Sequence, residues 1–144
     1  MLSNTSKYAL RAVIYLAINA KEGERIGIKR ISADLNIPTP FLGKILQTLA
    51  KHRLLISTKG PNGGFGLAIP PKNITLMNVV EIVDGQDSFH KCAIGVKYCS
   101  EQENQCVLHS RYARLRDEMK NLFESETIEQ AAIEVRDNKK KIII

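Results

Sequence analysis

The stretch that decides the fold is residues 28–69, which reads IKRISADLNIPTPFLGKILQTLAKHRLLISTKGPNGGFGLAI. Apolar residues recur at helical spacing near its start and predict a helix of about two turns. Two prolines then interrupt the pattern, with Thr39 expected to cap the next helix and Pro40 to occupy its first position. That next helix is predicted over 40–52. Two helices joined by a tight turn predict a helix-turn-helix.

The helix predicted over 40–52 has an apolar stripe on one side and small, polar or basic residues on the other. The second set is Gly43, Lys44, Gln47 and Lys51. In a helix-turn-helix, the second helix enters the major groove of DNA, and its polar side chains read the edges of the bases. The composition of this face therefore suits a recognition helix.

A glycine-rich segment follows at once. Residues 59–66 read KGPNGGFG, with four glycines, and lie between predicted strands at 54–58 and 65–69. Glycine, proline and asparagine favour tight turns, so the segment is expected to be a protruding hairpin. A phosphate-binding loop is the alternative, but the segment lacks the Lys-Ser/Thr pair and the strand-to-helix context of that motif. The predicted fold is mainly α with a small β-hairpin wing, a winged helix-turn-helix.

Composition and charge narrow the function classes. The chain has 144 residues, 44% of them hydrophobic and 25% charged, which excludes disorder throughout. Its net charge is +6, and residues 29–72 hold seven Lys or Arg against one acid, Asp34. Such an excess suits a polyanion such as nucleic acid, although a merely basic surface is the alternative. No apolar run approaches a membrane span and no signal layout precedes the first helix, so we expect a cytoplasmic protein.

The second half of the chain predicts an assembly element. A long helix is expected over about 104–124, with apolar residues at alternating spacings of four and three: Leu108, Tyr112, Leu115, Met119 and Leu122. A heptad seam of this kind pairs with the same helix of a second subunit, or packs on its own domain. We favour a homodimer. The sequence thus divides into a DNA-binding unit (1–85), a cysteine-containing sensor loop (86–106), a dimerisation helix with a last short helix (104–136) and a basic tail (137–144).

Several stretches resemble one known family. Tyr8-Ala-Leu-Arg, the turn around Ile37, GPNGGFGLA (60–68) and ITLMNVVEIVDG (74–85) are similar to the Rrf2 family of bacterial winged-helix regulators. The resemblance extends over essentially the whole chain. It implies a dimeric transcription factor that binds palindromic DNA and that pairs with its second subunit through a long dimerisation helix. Some members carry an iron–sulfur cluster on three cysteines, and others have no cluster and sense through a partner protein.

The candidate DNA contacts lie in two places. In the recognition helix they are Thr39, Pro40, Phe41, Lys44 and Gln47. For Phe41, a core position is weighed against contact with thymine and is slightly favoured. In the wing they are Lys59 and Asn62, together with Gly63 and Gly64, which are expected to allow close approach to the minor groove or backbone. Backbone N–H groups at a helix N-terminus and Lys side chains both suit phosphate.

The three cysteines form the candidate sensor. Cys92, Cys99 and Cys106 lie within fifteen residues, and an odd count in a cytoplasmic chain argues against a disulfide framework. Thiolates are the usual ligands of iron–sulfur clusters. Cys106-Val-Leu-His109 places His109 three residues after Cys106, and we expect both on one face at the start of the long helix. The pair resembles the Cys-x-x-His that completes the [2Fe–2S] site of the family's cluster regulators. The family's nitric-oxide repressors use an acid in the first helix for a [4Fe–4S] cluster, and Lys7 stands at that position, so [2Fe–2S] is favoured.

Other readings of the cysteines remain open. A Cys3His set also suits zinc, which would make a closed structural site. Thiols without metal would act by redox chemistry in a cluster-free regulator, or the regulator would act through a partner protein. His90 competes with His109 as a fourth ligand. A cysteine–histidine enzyme is the remote alternative, and it lacks an orienting third group. The leading interpretation is a DNA-binding repressor that senses iron–sulfur status, redox state or nitric oxide.

Overall fold

A computed structural model describes residues 2–94 and 106–138 of the chain. This part contains six α-helices and a two-stranded antiparallel sheet. The prediction of a mainly helical fold with one β-hairpin is confirmed. The elements are α1 (Asn4–Asn19), α2 (Ile28–Leu35), α3 (Thr39–Lys51), β1 (Leu55–Thr58), β2 (Gly64–Leu67), α4 (Leu76–Asp84), α5 (His109–Ser125) and α6 (Ile128–Asp137). Short 3-10 turns, Pro71–Asn73 and Gln86–Phe89, precede and follow α4.

Helix α1 is the centre of the main core. Its buried face carries small and apolar residues at helical spacing: Ala9, Ala12, Val13, Tyr15 and Leu16. Small residues allow neighbouring helices to approach closely, and α1 packs against both α4 and α6. Ser3 begins the helix, because its hydroxyl accepts a 3.0 Å bond from the backbone N–H of Ser6.

The helix-turn-helix is held by side chains of its own turn. Asn36 adopts the left-handed conformation (φ 52°) at the end of α2. The Ser32 hydroxyl donates to the carbonyl of Ile37 at 2.6 Å, and the Thr39 hydroxyl donates to Ser32 at 3.0 Å. The predicted cap is therefore wrong. Pro38 is the N-cap of α3 and Thr39 its first residue, since the Thr39 hydroxyl is used to tie the turn to α2.

The wing consists of two paired strands and is attached to a short segment that precedes α2. Strands β1 and β2 pair from Leu55–Leu67 to Thr58–Gly64. Their connection closes with a 2.9 Å bond from the N–H of Gly63 to the carbonyl of Gly60. On the other side of β2, Ile26 and Phe65 exchange two backbone bonds of 2.9 Å. The hairpin is thus anchored to the chain that enters α2, which fixes the wing relative to the recognition helix.

The C-terminal helix completes the same core. The N–H of Leu76 donates to the carbonyl of Glu126 at 3.0 Å, and the N–H of Ile128 donates to the carbonyl of Ile74 at 2.8 Å. These bonds bring the start of α6 beside the start of α4. Ile128 is fully buried in the main core. Residues 126–132 therefore belong structurally with α1, far away in sequence.

Helix α5 differs from its prediction at its first turn. The helix begins at His109, with Leu108 as its N-cap, so Cys106 and Leu108 precede it. The predicted start at residue 104 and the tail beyond residue 138 lie outside the described residues. The predicted irregular loop from residue 86 begins instead with a 3-10 turn whose Phe89 is buried.

Candidate functional site

The outward face of α3 displays the polar residues that the sequence analysis selected. Lys44 and Gln47 are exposed, and Lys51 continues the same face one turn further on. The opposite face is buried in the core through Leu42, Ile45, Leu46 and Leu49. The 3.6-residue period thus separates a core face from a basic, solvent-facing one.

Phe41 belongs to this outward face and not to the core. Its side chain is 39% exposed and meets the ring of Tyr8 edge-on, with 5.5 Å between the ring centroids. The guanidinium of Arg11 lies 5.4 Å from the centre of the Tyr8 ring and also donates to the carbonyl of Leu35 at 2.9 Å. Tyr8 therefore contacts the start of the recognition helix, while Arg11 ties α1 to the end of α2.

The wing glycines are constrained by their own chain. A Cβ atom at Gly63 would lie 2.1 Å from the carbonyl oxygen of Thr58, and one at Gly64 would lie 2.2 Å from that of Ile26. Gly64 also has a φ of +151°, which L-residues rarely adopt. Close approach to DNA was the expected reason for these glycines. The structure gives each another reason: Gly63 fits tightly within the turn of the hairpin itself, and Gly64 fits tightly against residues 26–27.

The exposed tip of the wing carries Lys59 and Asn62. Two further basic residues, which sequence reasoning did not select as DNA contacts, lie beside β1 and directly after α3. Arg25 donates from Nε to the Thr58 hydroxyl at 3.3 Å, where β1 ends and the turn of the wing begins. Arg53 is exposed in the left-handed conformation (φ 61°) after α3. No sequence motif marks either residue. Arg25 reaches the wing only because the hairpin pairs with the segment before α2.

The proposed seam of α5 divides into two sets. Leu115 and Leu122 are 57% and 55% exposed, and Leu108, seven residues before Leu115, is 39% exposed. Met119 instead packs with Phe123 against the small core formed by Met77, Val80 and Phe89. Tyr112 is partly buried. One set therefore packs on the chain's own domain, and the leucines, which are seven residues apart, face solvent in the single chain.

Two of the three predicted thiols come together at the start of α5. The sulfurs of Cys92 and Cys106 are 3.3 Å apart, and both residues are partly buried. His109 is 8% exposed, and its backbone N–H donates to the carbonyl of Cys106 at 2.9 Å. The expectation that Cys106 and His109 share a helix face is wrong, because a turn and not a helix joins them. Cys99 lies outside the described residues.

The donor set fits a thiolate-bound metal as far as it is described. Two sulfurs on one tetrahedral ion, each at about 2.3 Å, lie about 3.8 Å apart, which is close to the separation of Cys92 and Cys106. Within residues 2–94 and 106–138, no three Cys, His, Asp or Glu side chains gather as a metal site. The exposed His90 follows a 3-10 turn. A third ligand would therefore have to come from Cys99 or from a movement of His109.

Two titratable groups hold elements of the fold together. Burial, followed by a 2.5 Å bond from the hydroxyl to Asp34, raises the pKa of Tyr15 to about 12. Burial alone would raise the pKa of Asp84, but hydrogen bonds from the hydroxyl and N–H of Ser3 outweigh it and lower that pKa. Tyr15 thus links α1 to α2, and Asp84 links the end of α4 to the start of α1.

Comparison with known proteins identifies the family. The family model described as Rrf2, iron-dependent transcriptional regulator, matches residues 2–133. An HTH-type transcriptional regulator of Aquifex aeolicus is 33% identical over 129 residues, which are 89% of this chain and 88% of that one. Such relatives are regulators and not enzymes, so the enzyme alternative is set aside.

Solved structures share the fold at low sequence identity. CymR, the global cysteine regulator of B. subtilis, has a TM-score of 0.75 at 24% identity, covering 92% of this chain and 95% of its own. IscR of T. potens has a TM-score of 0.76 at 18% identity, covering 98% and 92%. Among the described helices, none is long and apolar enough to cross a membrane. The match over nearly the whole chain shows that this protein is a member of the Rrf2 family of DNA-binding, winged-helix transcriptional regulators.

Proposed function

We propose that this protein is a homodimeric repressor of the cytoplasm that binds a palindromic operator and senses its signal through a [2Fe–2S] cluster. Iron–sulfur status, redox state or nitric oxide is the signal class. The ligands would be Cys92, Cys99, Cys106 and His109. The observation that carries the sensor is the 3.3 Å separation of the Cys92 and Cys106 sulfurs beside the first turn of α5. The family's description as iron-dependent supports the choice of metal.

The DNA face would use α3 and the wing together. The first turn of α3, from Thr39 to Phe41, enters the major groove, where Lys44 and Gln47 follow on the same exposed face. Lys bonds phosphate or guanine, and Gln pairs with adenine. The wing tip, with Lys59 and Asn62, would reach the adjacent minor groove or backbone. Gly63 and Gly64 would contribute by shaping that tip.

The dimer would form along α5. Leucines at 108, 115 and 122 are spaced by seven residues and remain largely exposed in the single chain. An unpaired row of leucines suits the same row on a second copy. Because α5 also packs on α4 through Met119 and Phe123, the pairing of two α5 helices would determine the distance between the two recognition helices.

The sensor would act through the start of α5. When bound, an iron–sulfur cluster supplies a redox-active centre that oxidants and nitric oxide destroy. Cys106 and His109 are joined by the turn that begins α5, and Cys92 follows the 3-10 turn whose Phe89 contacts Phe123 of that helix. Releasing these side chains would shift the population of α5 orientations, and with it the spacing of the recognition helices.

The cofactor is tested on protein purified without oxygen. We expect iron and sulfide in equal amounts, with visible cluster absorption. Cys106→Ala should abolish the absorption, His109→Ala should alter it, and His90→Ala is the matched histidine control that should not. Stoichiometric zinc without iron would contradict the cluster and indicate a structural site. An unaltered spectrum in His109→Ala would remove that residue from the ligand set.

The DNA face is tested by the salt dependence of operator binding. Lys44→Ala and Lys59→Ala should each weaken binding and flatten the slope of log K against log salt by about 0.9 per lost phosphate contact. Arg136→Ala removes one positive charge from the exposed surface of α6 and should leave the slope unchanged. Equal slopes in all three variants would refute the assignment of α3 and the wing to DNA.

A further inference from the structure

Cys92 and Cys106 are far apart in sequence, but the fold brings their side chains together. Thirteen residues separate them in sequence, and their sulfurs are 3.3 Å apart. Two separate parts of the fold bring them together. The 3-10 turn Gln86–Phe89, which precedes Cys92, is anchored by buried Phe89. Cys106 is anchored by the turn that leads into α5.

The separation also lies within reach of a covalent bond. A disulfide requires about 2.05 Å between sulfurs, and sulfurs on a shared metal about 3.8 Å. The observed 3.3 Å falls between these values, so a small movement of the two side chains leads to either state. Neither residue is closed off, because both are partly exposed. The same pair is therefore suited to metal binding and to oxidation, but not to both at once.

We propose that, in protein without a cluster, peroxide oxidises Cys92 and Cys106 to an intramolecular disulfide that prevents cluster assembly. One thiolate attacks the peroxide, which breaks the O–O bond and gives a sulfenic acid and water. The second thiol attacks that sulfur, the S–S bond forms, and a second water leaves. Each thiol gives up one proton and one electron, and the two electrons reduce the peroxide.

The consequence is a regulator that stays in its oxidised, cluster-free state after the oxidant has gone. As a regulation of the sensor site, this inference rests on the proposed function. Once the disulfide has formed, two of the expected ligands can no longer bind iron. Iron and sulfide cannot restore the cluster until a thiol reductant cleaves the disulfide bond. Loss of the cluster by oxidation would then be reversed by reduction and not by iron supply alone.

The test counts thiols in cluster-free protein before and after treatment with hydrogen peroxide, by N-ethylmaleimide labelling and intact mass. Cys99→Ser carries the decisive result: two labels before oxidation and none after, with a loss of two hydrogens and no dimer on a non-reducing gel. Cys92→Ser and Cys106→Ser are matched controls, and neither should lose two hydrogens. Wild-type protein should keep one label, on Cys99. The same oxidation in urea should lose this selectivity.

Retention of both labels by oxidised Cys99→Ser, or pairing of Cys99 in the wild type, would overturn the inference. Iron content is measured separately, on wild-type protein purified without oxygen, and this second measurement separates the two proposals. Iron loading without the disulfide would refute only the inference, and the disulfide without iron loading would refute only the cluster. If oxidised wild type assembles a cluster without reductant, the block on assembly is wrong.

Discussion

Gly64→Ala tests whether the wing glycines serve the fold or the DNA. The new Cβ would lie 2.2 Å from the carbonyl oxygen of Ile26, whereas real contacts essentially never fall below 3.0 Å. Strand β2 must therefore move away from Ile26, which breaks the two 2.9 Å bonds between Ile26 and Phe65. Two lost hydrogen bonds at about 1 kcal/mol each and about 1–3 kcal/mol for the backbone conformation give a loss of about 3–5 kcal/mol.

The measurement is urea unfolding followed by circular dichroism. A loss of this size is a large part of the roughly 5–15 kcal/mol that stabilises a domain, so the midpoint should fall clearly. Gly23→Ala is the matched control, because Gly23 also has a positive φ (+79°) but no atom within 4 Å of the added Cβ. It should lose only the backbone contribution. An unchanged midpoint with weakened operator binding in Gly64→Ala would refute this reasoning and restore the role in DNA approach.

Three further changes test other parts of the fold. Leu115→Asp should convert the proposed dimer to a folded monomer in sedimentation, because the side chain is 57% exposed in the single chain and the new charge would lie in the proposed seam. Arg114→Asp, at an exposed ion-paired position of the same helix, should not; a Leu115→Asp dimer would refute the seam. Tyr15→Phe should remove a loss of unfolding free energy that the wild type shows between pH 10 and about 12. The raised pKa of Tyr15 keeps the phenol neutral in the folded state, so its contribution to stability is lost as the pH rises from 10 to about 12. Ser3→Ala should move the acid unfolding midpoint to higher pH, because the lowered pKa of Asp84 contributes stability that disappears as the pH falls through its folded value; identical acid transitions would contradict this.

Local patterns in the sequence were enough for the helix-turn-helix and the wing. Apolar spacing in α3 separates core from surface, and the glycine-rich turn follows from the conformations that glycine and proline favour. The cap of α3 was mispredicted for a tertiary reason. Thr39 is a good N-cap residue, but its hydroxyl bonds Ser32 of the preceding helix, and that partner is invisible to a rule based on neighbouring residues.

The C-terminal half was less predictable because its contacts are distant in sequence. The heptad in α5 correctly marks the apolar residues but cannot say which of them meet their own domain. Met119 turns inward only because Phe89 and Met77 form a small core beneath it. Likewise, the spacing of Cys106 and His109 suggested a helix, whereas the chain makes a turn there. The proximity of Cys92 and Cys106 depends on two separately anchored turns and has no signature in the spacing.

The return of α6 to α1 has a consequence for synthesis on the ribosome. Ile128 completes the core around α1, so α1 cannot finish the burial of its apolar face until residue 128 has been made. At about 5–20 residues per second, translation from α1 to Ile128 takes about 5–25 s. Throughout that interval α1 lacks its final partner, and the nascent protein presents an apolar helix to chaperones and proteases.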